Sequence, residues 1–270
     1  MPTLLTNGIK LAYSEQGQGE PILFLHGLGS RGEDWGFQVP FFAARYRVIT
    51  ADVRGHGESD KPAGPYSVPI MAHDVAGLLD ALDIESAHVI GLSMGGMIAF
   101  QLVLDRPERV RSLVIVNSGP ALVARNAGEW LRIQQRLLLA RLFGPSRTGE
   151  FLSERLFPKP EQAFLRQQFI ERWAMNHRDA YLAALQAIVG WSVLNRIGDI
   201  RCPVLVISGD RDYTPLDAKR EYTARIPDAQ FILVEDSGHA TPIDQPERFN
   251  NAVQGFLETI AVHKSFGDNE

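Results

Sequence analysis

A chain of 270 residues with 45% hydrophobic side chains can bury the core of one large α/β domain and still carry an insertion. Its net charge of −5, with no long run of like charge, excludes the basic footprint of a nucleic-acid binder. The one cysteine, Cys202, rules out an intrachain disulfide and suits a reducing compartment.

No apolar run approaches membrane-spanning length. The opening Met1-Pro2-Thr3-Leu4-Leu5-Thr6-Asn7-Gly8 has no basic region leading into a long apolar stretch, so no signal peptide is expected. These features predict a soluble, cytoplasmic protein without membrane or nucleic-acid partners. They are compatible with a homo-oligomer.

In chain order, Leu4-Leu5-Thr6 and Ile9-Lys10-Leu11-Ala12-Tyr13 flank Asn7-Gly8, a strong hairpin signal. Ile22-Leu23-Phe24-Leu25 is wholly apolar, as a strand covered on both faces should be, and runs into the glycine-rich His26-Gly27-Leu28-Gly29-Ser30. Another strand, Arg47 to Asp52, ends at Arg54-Gly55-His56-Gly57-Glu58-Ser59. From Ser67, a helix N-cap, apolar residues recur at helical spacing to Leu82.

Ala87-His88-Val89-Ile90 then leads into Gly91-Leu92-Ser93-Met94-Gly95 and an apolar helix-forming run to Leu104. A serine between a buried strand and a helix, flanked by glycines, is held on a sharp turn with its hydroxyl pushed out above the sheet. Another strand spans Val110 to Val116.

The strand–helix alternation stops from 121 to 199. This segment reads as amphipathic helices broken at Gly144-Pro145 and Pro158-Lys159-Pro160, and it holds three of the four tryptophans. It is expected to form a helical cap over the strands' carboxyl ends, where open α/β sheets bind ligands. The core, 1–120 and 200–270, resumes with Pro203 to Ser208, then Gly209-Asp210-Arg211-Asp212. The last strand, Gln230 to Val234, precedes Ser237-Gly238-His239. A closing helix is expected from about Gln245 to Ile260, with a frayed tail beyond His263.

Ser93 needs a base to become a nucleophile at neutral pH. Of the seven histidines, His239 is best placed, in a small-residue loop after the last core strand. The base in turn needs a carboxylate, and Asp212 or Asp210 follows the preceding strand. The oxyanion hole is assigned to two backbone N–H groups, those of Met94 and Leu28. His26 and His56 are expected to satisfy loop backbone, and His73, His88, His177 and His263 have no partner pattern. No clustered ligand set suggests a metal, and no cofactor motif is present.

Five ordered motifs give the chain a close resemblance to the α/β-hydrolase superfamily. They are His26-Gly27-Leu28-Gly29, Asp52-Val53-Arg54-Gly55-His56-Gly57-Glu58-Ser59, Gly91-Leu92-Ser93-Met94-Gly95-Gly96, Gly209-Asp210-Arg211-Asp212 and Gly238-His239. The resemblance implies a mostly parallel eight-stranded sheet with helices on both faces, a cap, and the catalytic order Ser93, Asp212, His239. It favours Asp212 over Asp210 and marks Arg54-Gly55-His56-Gly57 as a structural turn.

Ser93 stands where haloalkane dehalogenases and epoxide hydrolases carry aspartate. Leu92 and His26-Gly27-Leu28-Gly29-Ser30 depart from the C–C hydrolase pattern, and Gly29 stands where perhydrolases tend to place proline. The motifs look most like carboxylesterases and 3-oxoadipate enol-lactonases, which implies a small-molecule ester or lactone substrate. C–C hydrolysis and a ligand receptor that keeps its triad rank below these. Trp130, Trp173 and Trp191 are candidates to line an acyl pocket. The arginines of 121–199, Arg136 among them, are expected mostly on solvent faces, though one turned inward would pair with a substrate carboxylate.

Overall fold

The computed structural model describes residues 1–267, with side chains to Ala261. The strands are β1 (Thr3–Thr6), β2 (Ile9–Gln16), β3 (Pro21–Leu25), β4 (Arg47–Ala51), β5 (Ala87–Leu92), β6 (Val110–Val116), β7 (Val204–Gly209) and β8 (Ala229–Val234). The helices are α1 (Val39–Phe42), α2 (Val68–Ala81), α3 (Met94–Asp105), α4 (Ala127–Leu156), α5 (Ala163–Ala174), α6 (Arg178–Ile188), α7 (Leu216–Thr223), α8 (Thr241–Asp244) and α9 (Pro246–Gly267).

The strands form one eight-stranded sheet in the order β1-β2-β4-β3-β5-β6-β7-β8. Its first two pairings are antiparallel and the rest parallel. This is the α/β-hydrolase fold. The β1–β2 hairpin turns on Asn7 and Gly8, both at positive φ, as its tight turn requires.

Side chains along the central strands alternate between two cores. Leu23, Leu25, Val89, Leu113, Ile115 and Val206 pack with α2 and α3 on one face. Ile22, Phe24, Ile90, Val114, Val116 and Leu205 pack with Trp35, Phe42 and α9 on the other. Both faces are covered, which is why these strands read as continuous apolar runs rather than alternating ones. Ser67 caps α2 by accepting the Ile70 N–H at 3.2 Å.

Between β6 and β7 the chain leaves the sheet for α4, α5 and α6. Gly144, at φ 69° and ψ −173°, breaks α4 ahead of Pro145, so its two halves run in different directions. The two ends of this excursion are tied together by a bridge between Ala121 and Ser192. Hydrogen bonds from Leu122 N–H to the Trp191 carbonyl and from Val193 N–H to the Pro120 carbonyl reinforce it.

The closing helix departs from expectation. It continues to Gly267 rather than ending near Ile260, because no proline or glycine intervenes after Gly255 to stop it. The side chain of His263 and residues 268–270 lie outside the described residues.

Candidate active site

Ser93 sits between β5 and α3 at φ 54° and ψ −114°, a conformation a side-chain-bearing residue adopts only under strain. The flanking glycines make that turn sterically feasible. A Cβ on Gly95 would lie 2.1 Å from the Leu25 carbonyl oxygen, and one on Gly91 would lie 2.4 Å from that of Gly95. The elbow is pinned by Ser93 N–H to the Val116 carbonyl at 2.9 Å and by Ser118 Oγ to the Ser93 carbonyl at 2.6 Å. As the first residue of α3, Met94 has no helical carbonyl to receive its N–H.

The loop after β3 folds back as a turn in which the Ser30 N–H donates to the Gly27 carbonyl. Gly29 supplies the positive φ of 76°. His26 lies beneath it, buried. Its Nε2 accepts the Val53 N–H at 2.9 Å, so its proton is on Nδ1, 2.7 Å from the Gly27 carbonyl oxygen. The following Asp52 to Ser59 turn is likewise structural. Asp52 accepts the N–H groups of Gly32 and Glu58 at 2.7 and 2.8 Å, and Arg54 is ion-paired with buried Asp74.

His239 follows β8 and faces the same cavity as Ser93. Its Nδ1 lies 2.7 Å from Asp212 Oδ1. Asp210 is engaged elsewhere, accepting the Ser237 N–H at 3.0 Å. The other Asp212 oxygen accepts from Thr214 Oγ1 and pairs with the buried ammonium of Lys219, which also donates to Ser208 Oγ at 2.8 Å. Burial opposes ionisation of Asp212. The charges and hydrogen bonds of His239 and Lys219 outweigh it and hold the carboxyl well below the usual carboxylate range. The Tyr213 ring stacks on the imidazole at 4.2 Å between centroids.

Three of these partners are absent from the sequence reading. Lys219 and Tyr213 follow the β7 strand end without forming a motif. Asn117, at φ 44°, directly follows β6. Its amide nitrogen donates to the His239 carbonyl and Thr241 Oγ1, both at 2.8 Å, and its oxygen accepts the Gly209 N–H at 2.9 Å. Asn117 therefore fixes the loop carrying His239 to the end of the strand that precedes Asp212. An asparagine at positive φ directly after a buried strand is the one signal that could have flagged it.

The cavity floor includes Gly27, Leu28, Ser93 and His239; the excursion supplies Arg136, Leu152, Phe157, Phe169, Arg172 and Trp173. Trp173 packs so closely on the β3 loop that a Cβ on Gly29 would lie 2.5 Å from its ring. Nearby, Asn176 donates to the Gly29 carbonyl at 2.8 Å, and Arg172 pairs with Asp34.

The other two tryptophans lie elsewhere, which corrects the expected pocket. Trp130 is 56% exposed, because the first turn of α4 presents it to solvent. Trp191 belongs to the base of the excursion and donates to Gln101 Oε1 at 2.8 Å. Among the described residues, no group of three or more His, Cys, Asp or Glu side chains is placed to hold a metal ion. No helix there is long and apolar enough to cross a membrane.

Residues 22–252 match the alpha/beta hydrolase family, and the chain belongs to it. It is 33% identical to a protein of Azorhizobium caulinodans provisionally named a carbamate hydrolase, RutD, over 96% of this chain and 99% of that one. It is 28% identical to 3-oxoadipate enol-lactonase 2 of Acinetobacter baylyi, over 95% and 96%. The crystal structure of the enol-lactonase from Burkholderia xenovorans superposes with a TM-score of 0.88 at 26% identity, covering 95% of this chain and all of that one. The chain is accordingly an enzyme, a hydrolase of this family.

Proposed function

We propose that the protein is a serine hydrolase of carboxylic esters, lactones included, working through an acyl-enzyme. The observation that carries this reading is the His239–Asp212 hydrogen bond at 2.7 Å, with His239 and the strained Ser93 facing one cavity. Asp212 accepts the Nδ1 proton, which leaves Nε2 as the basic nitrogen. His239 takes the Ser93 Oγ proton as Oγ bonds to the carbonyl carbon. The carbonyl oxygen becomes an oxyanion, held by the Met94 and Leu28 N–H groups. Collapse expels the alcohol, which leaves with the proton from His239. A water, deprotonated by His239, then attacks the acyl-enzyme and releases the acid with Ser93 restored.

In this reading residues 121–199 act as a cap over a core of 1–120 and 200–270. The excursion's contribution of Phe169, Arg172 and Trp173 to the cavity supports that division. A cytoplasmic setting suits the lone thiol of Cys202.

A lactone substrate is the second reading, supported by the enol-lactonase neighbours at 28% and 26% identity. The test is a panel of p-nitrophenyl esters of increasing acyl length, alongside lactones and carbamates, with Ser93→Ala as control. Turnover should concentrate on one carbonyl class and fall by about 10⁶-fold in kcat without the hydroxyl. Hydrolysis that persists in folded Ser93→Ala would overturn the mechanism.

A further inference from the structure

Five charged or titratable side chains line the cavity: Asp34, Arg136, Arg172, Tyr213 and His239. Arg172 pairs with Asp34, and His239 with Asp212. Arg136 has no such partner among the described residues. Arg136 is half-buried, with its Nε enclosed and without a hydrogen bond, and the ionisable groups around it are the phenols of Tyr213 and Tyr181. Phenols are uncharged at neutral pH, so the guanidinium stands in the cavity with no anion.

A cation removed from water without a counter-charge is expensive, and natural interiors pair it or bring an anion to it. The protein supplies none, so the ligand is the remaining source. A guanidinium also presents a planar fork of N–H donors that matches a carboxylate. One cation matches one negative charge. A phosphate dianion would leave half its charge uncompensated among Leu152, Phe157, Phe169 and Trp173, whereas these side chains suit a short hydrocarbon spacer. The position is also close to the chemistry. Arg136 lines the same cavity as His239, and Tyr213, which lines it too, stacks on the imidazole.

We infer that the substrate is an ester or lactone that carries a carboxylate, and that Arg136 is the residue that binds this carboxylate. The inference rests on the hydrolase reading above and narrows its substrate class. It also sets apart one arginine of the excursion from Arg125, Arg147 and Arg178, whose partners lie on exposed surface.

The experiment compares monomethyl glutarate with dimethyl glutarate at neutral pH, following methanol release. The two esters differ only in the free carboxylate. The wild type should favour the half-ester. Arg136→Met should lose about 10²-fold more in kcat/KM for the half-ester than for the diester, with a circular dichroism spectrum matching the wild type showing that the variant is folded. Arg136→Lys, which keeps the charge without the fork, should fall between them. Equal losses on both esters, or no loss on either, would overturn the assignment.

A second arm separates this from the hydrolase reading. Glutarate is titrated calorimetrically into Ser93→Ala and into Ser93→Ala combined with Arg136→Met. Binding to the first that weakens at least about tenfold in the second supports the carboxylate site. Equal binding, or none to either, removes it. If the wild type cleaves neither these esters nor any ester or lactone of the panel above, the ester-hydrolase reading fails, and the titration still decides the role of Arg136.

Discussion

Lowering the pH should destabilise the fold through two histidines that never touch substrate. His56 is fully enclosed, and burial, with His26 beside it at 5.1 Å between ring centroids, pushes its pKa down from 6.5 to about 3. His26 is lowered as well, by burial. A second proton on His26 would turn Nε2 from acceptor to donor and break its bond to the Val53 amide. Unfolding exposes both rings, which then take up protons near the ordinary value of 6.5. Below that pH the unfolded chain binds more protons than the native one. The contribution of His56 is therefore fully present above 6.5, is lost as pH falls, and levels off near 3, where the native ring protonates too.

Over that window linkage gives a slope of about 1.4 kcal/mol per pH unit for His56, or roughly 2 kcal/mol between pH 7.5 and pH 5. That is a large share of an ordinary domain stability of about 5–15 kcal/mol. The assay is urea unfolding across this range for the wild type and His56→Asn. The asparagine amide can replace the 3.1 Å hydrogen bond from Nδ1 to the Arg54 carbonyl but cannot titrate. The variant starts less stable, and the informative quantity is its slope, which should be shallower by about 1.4 kcal/mol per unit. Parallel stability curves would refute the reasoning.

Three further changes probe the site's supports. Lys219→Met leaves one oxygen of a buried Asp212 without its cation and should cost about 3–5 kcal/mol in denaturant unfolding; an unchanged midpoint would mean the pair is not formed. Asn117→Ala orphans the Gly209 N–H and frees the His239 loop, so kcat should fall more than ten-fold with KM little changed, on the scale of about 1–3 kcal/mol per orphaned group. Loss confined to KM would show that Asn117 shapes binding instead. Trp130→Ala, on an exposed helix face, should leave stability within about 0.5 kcal/mol and activity unaltered. A clear drop in kcat/KM would restore Trp130 to the pocket.

What was legible in the sequence is what the backbone itself demands. Gly95 cannot carry a Cβ 2.1 Å from the Leu25 carbonyl, so the elbow around Ser93 leaves its mark in residue type at fixed spacing. The central strands are likewise legible, because a strand covered on both faces must be apolar at successive positions. His239 and Asp212 were found because each follows such a strand, where the chain emerges at the sheet's carboxyl edge.

The excursion obeys a weaker rule. Trp130, Leu131, Leu138, Leu142, Phe143, Phe151 and Phe164 are all exposed there, so apolar residues occupy both the docked and the free faces of its helices. Gly144 then redirects the second half of α4, and no periodicity carries across that break. The same physics explains why Trp173 was named together with Trp130 and Trp191, although only Trp173 reaches the cavity. Lys219 and Arg136 show the limit most sharply. Each is a basic residue on a helix, the type that ordinarily marks a solvated face. Lys219 is instead 2% exposed because Asp212 lies opposite it, seven residues earlier in the chain. Arg136 lines the cavity with no anion opposite it. In the first the protein supplies the counter-charge, and in the second the substrate must. Residue type is the same kind of cation in both, and only the partner across the gap separates a support of the triad from a reader of the substrate.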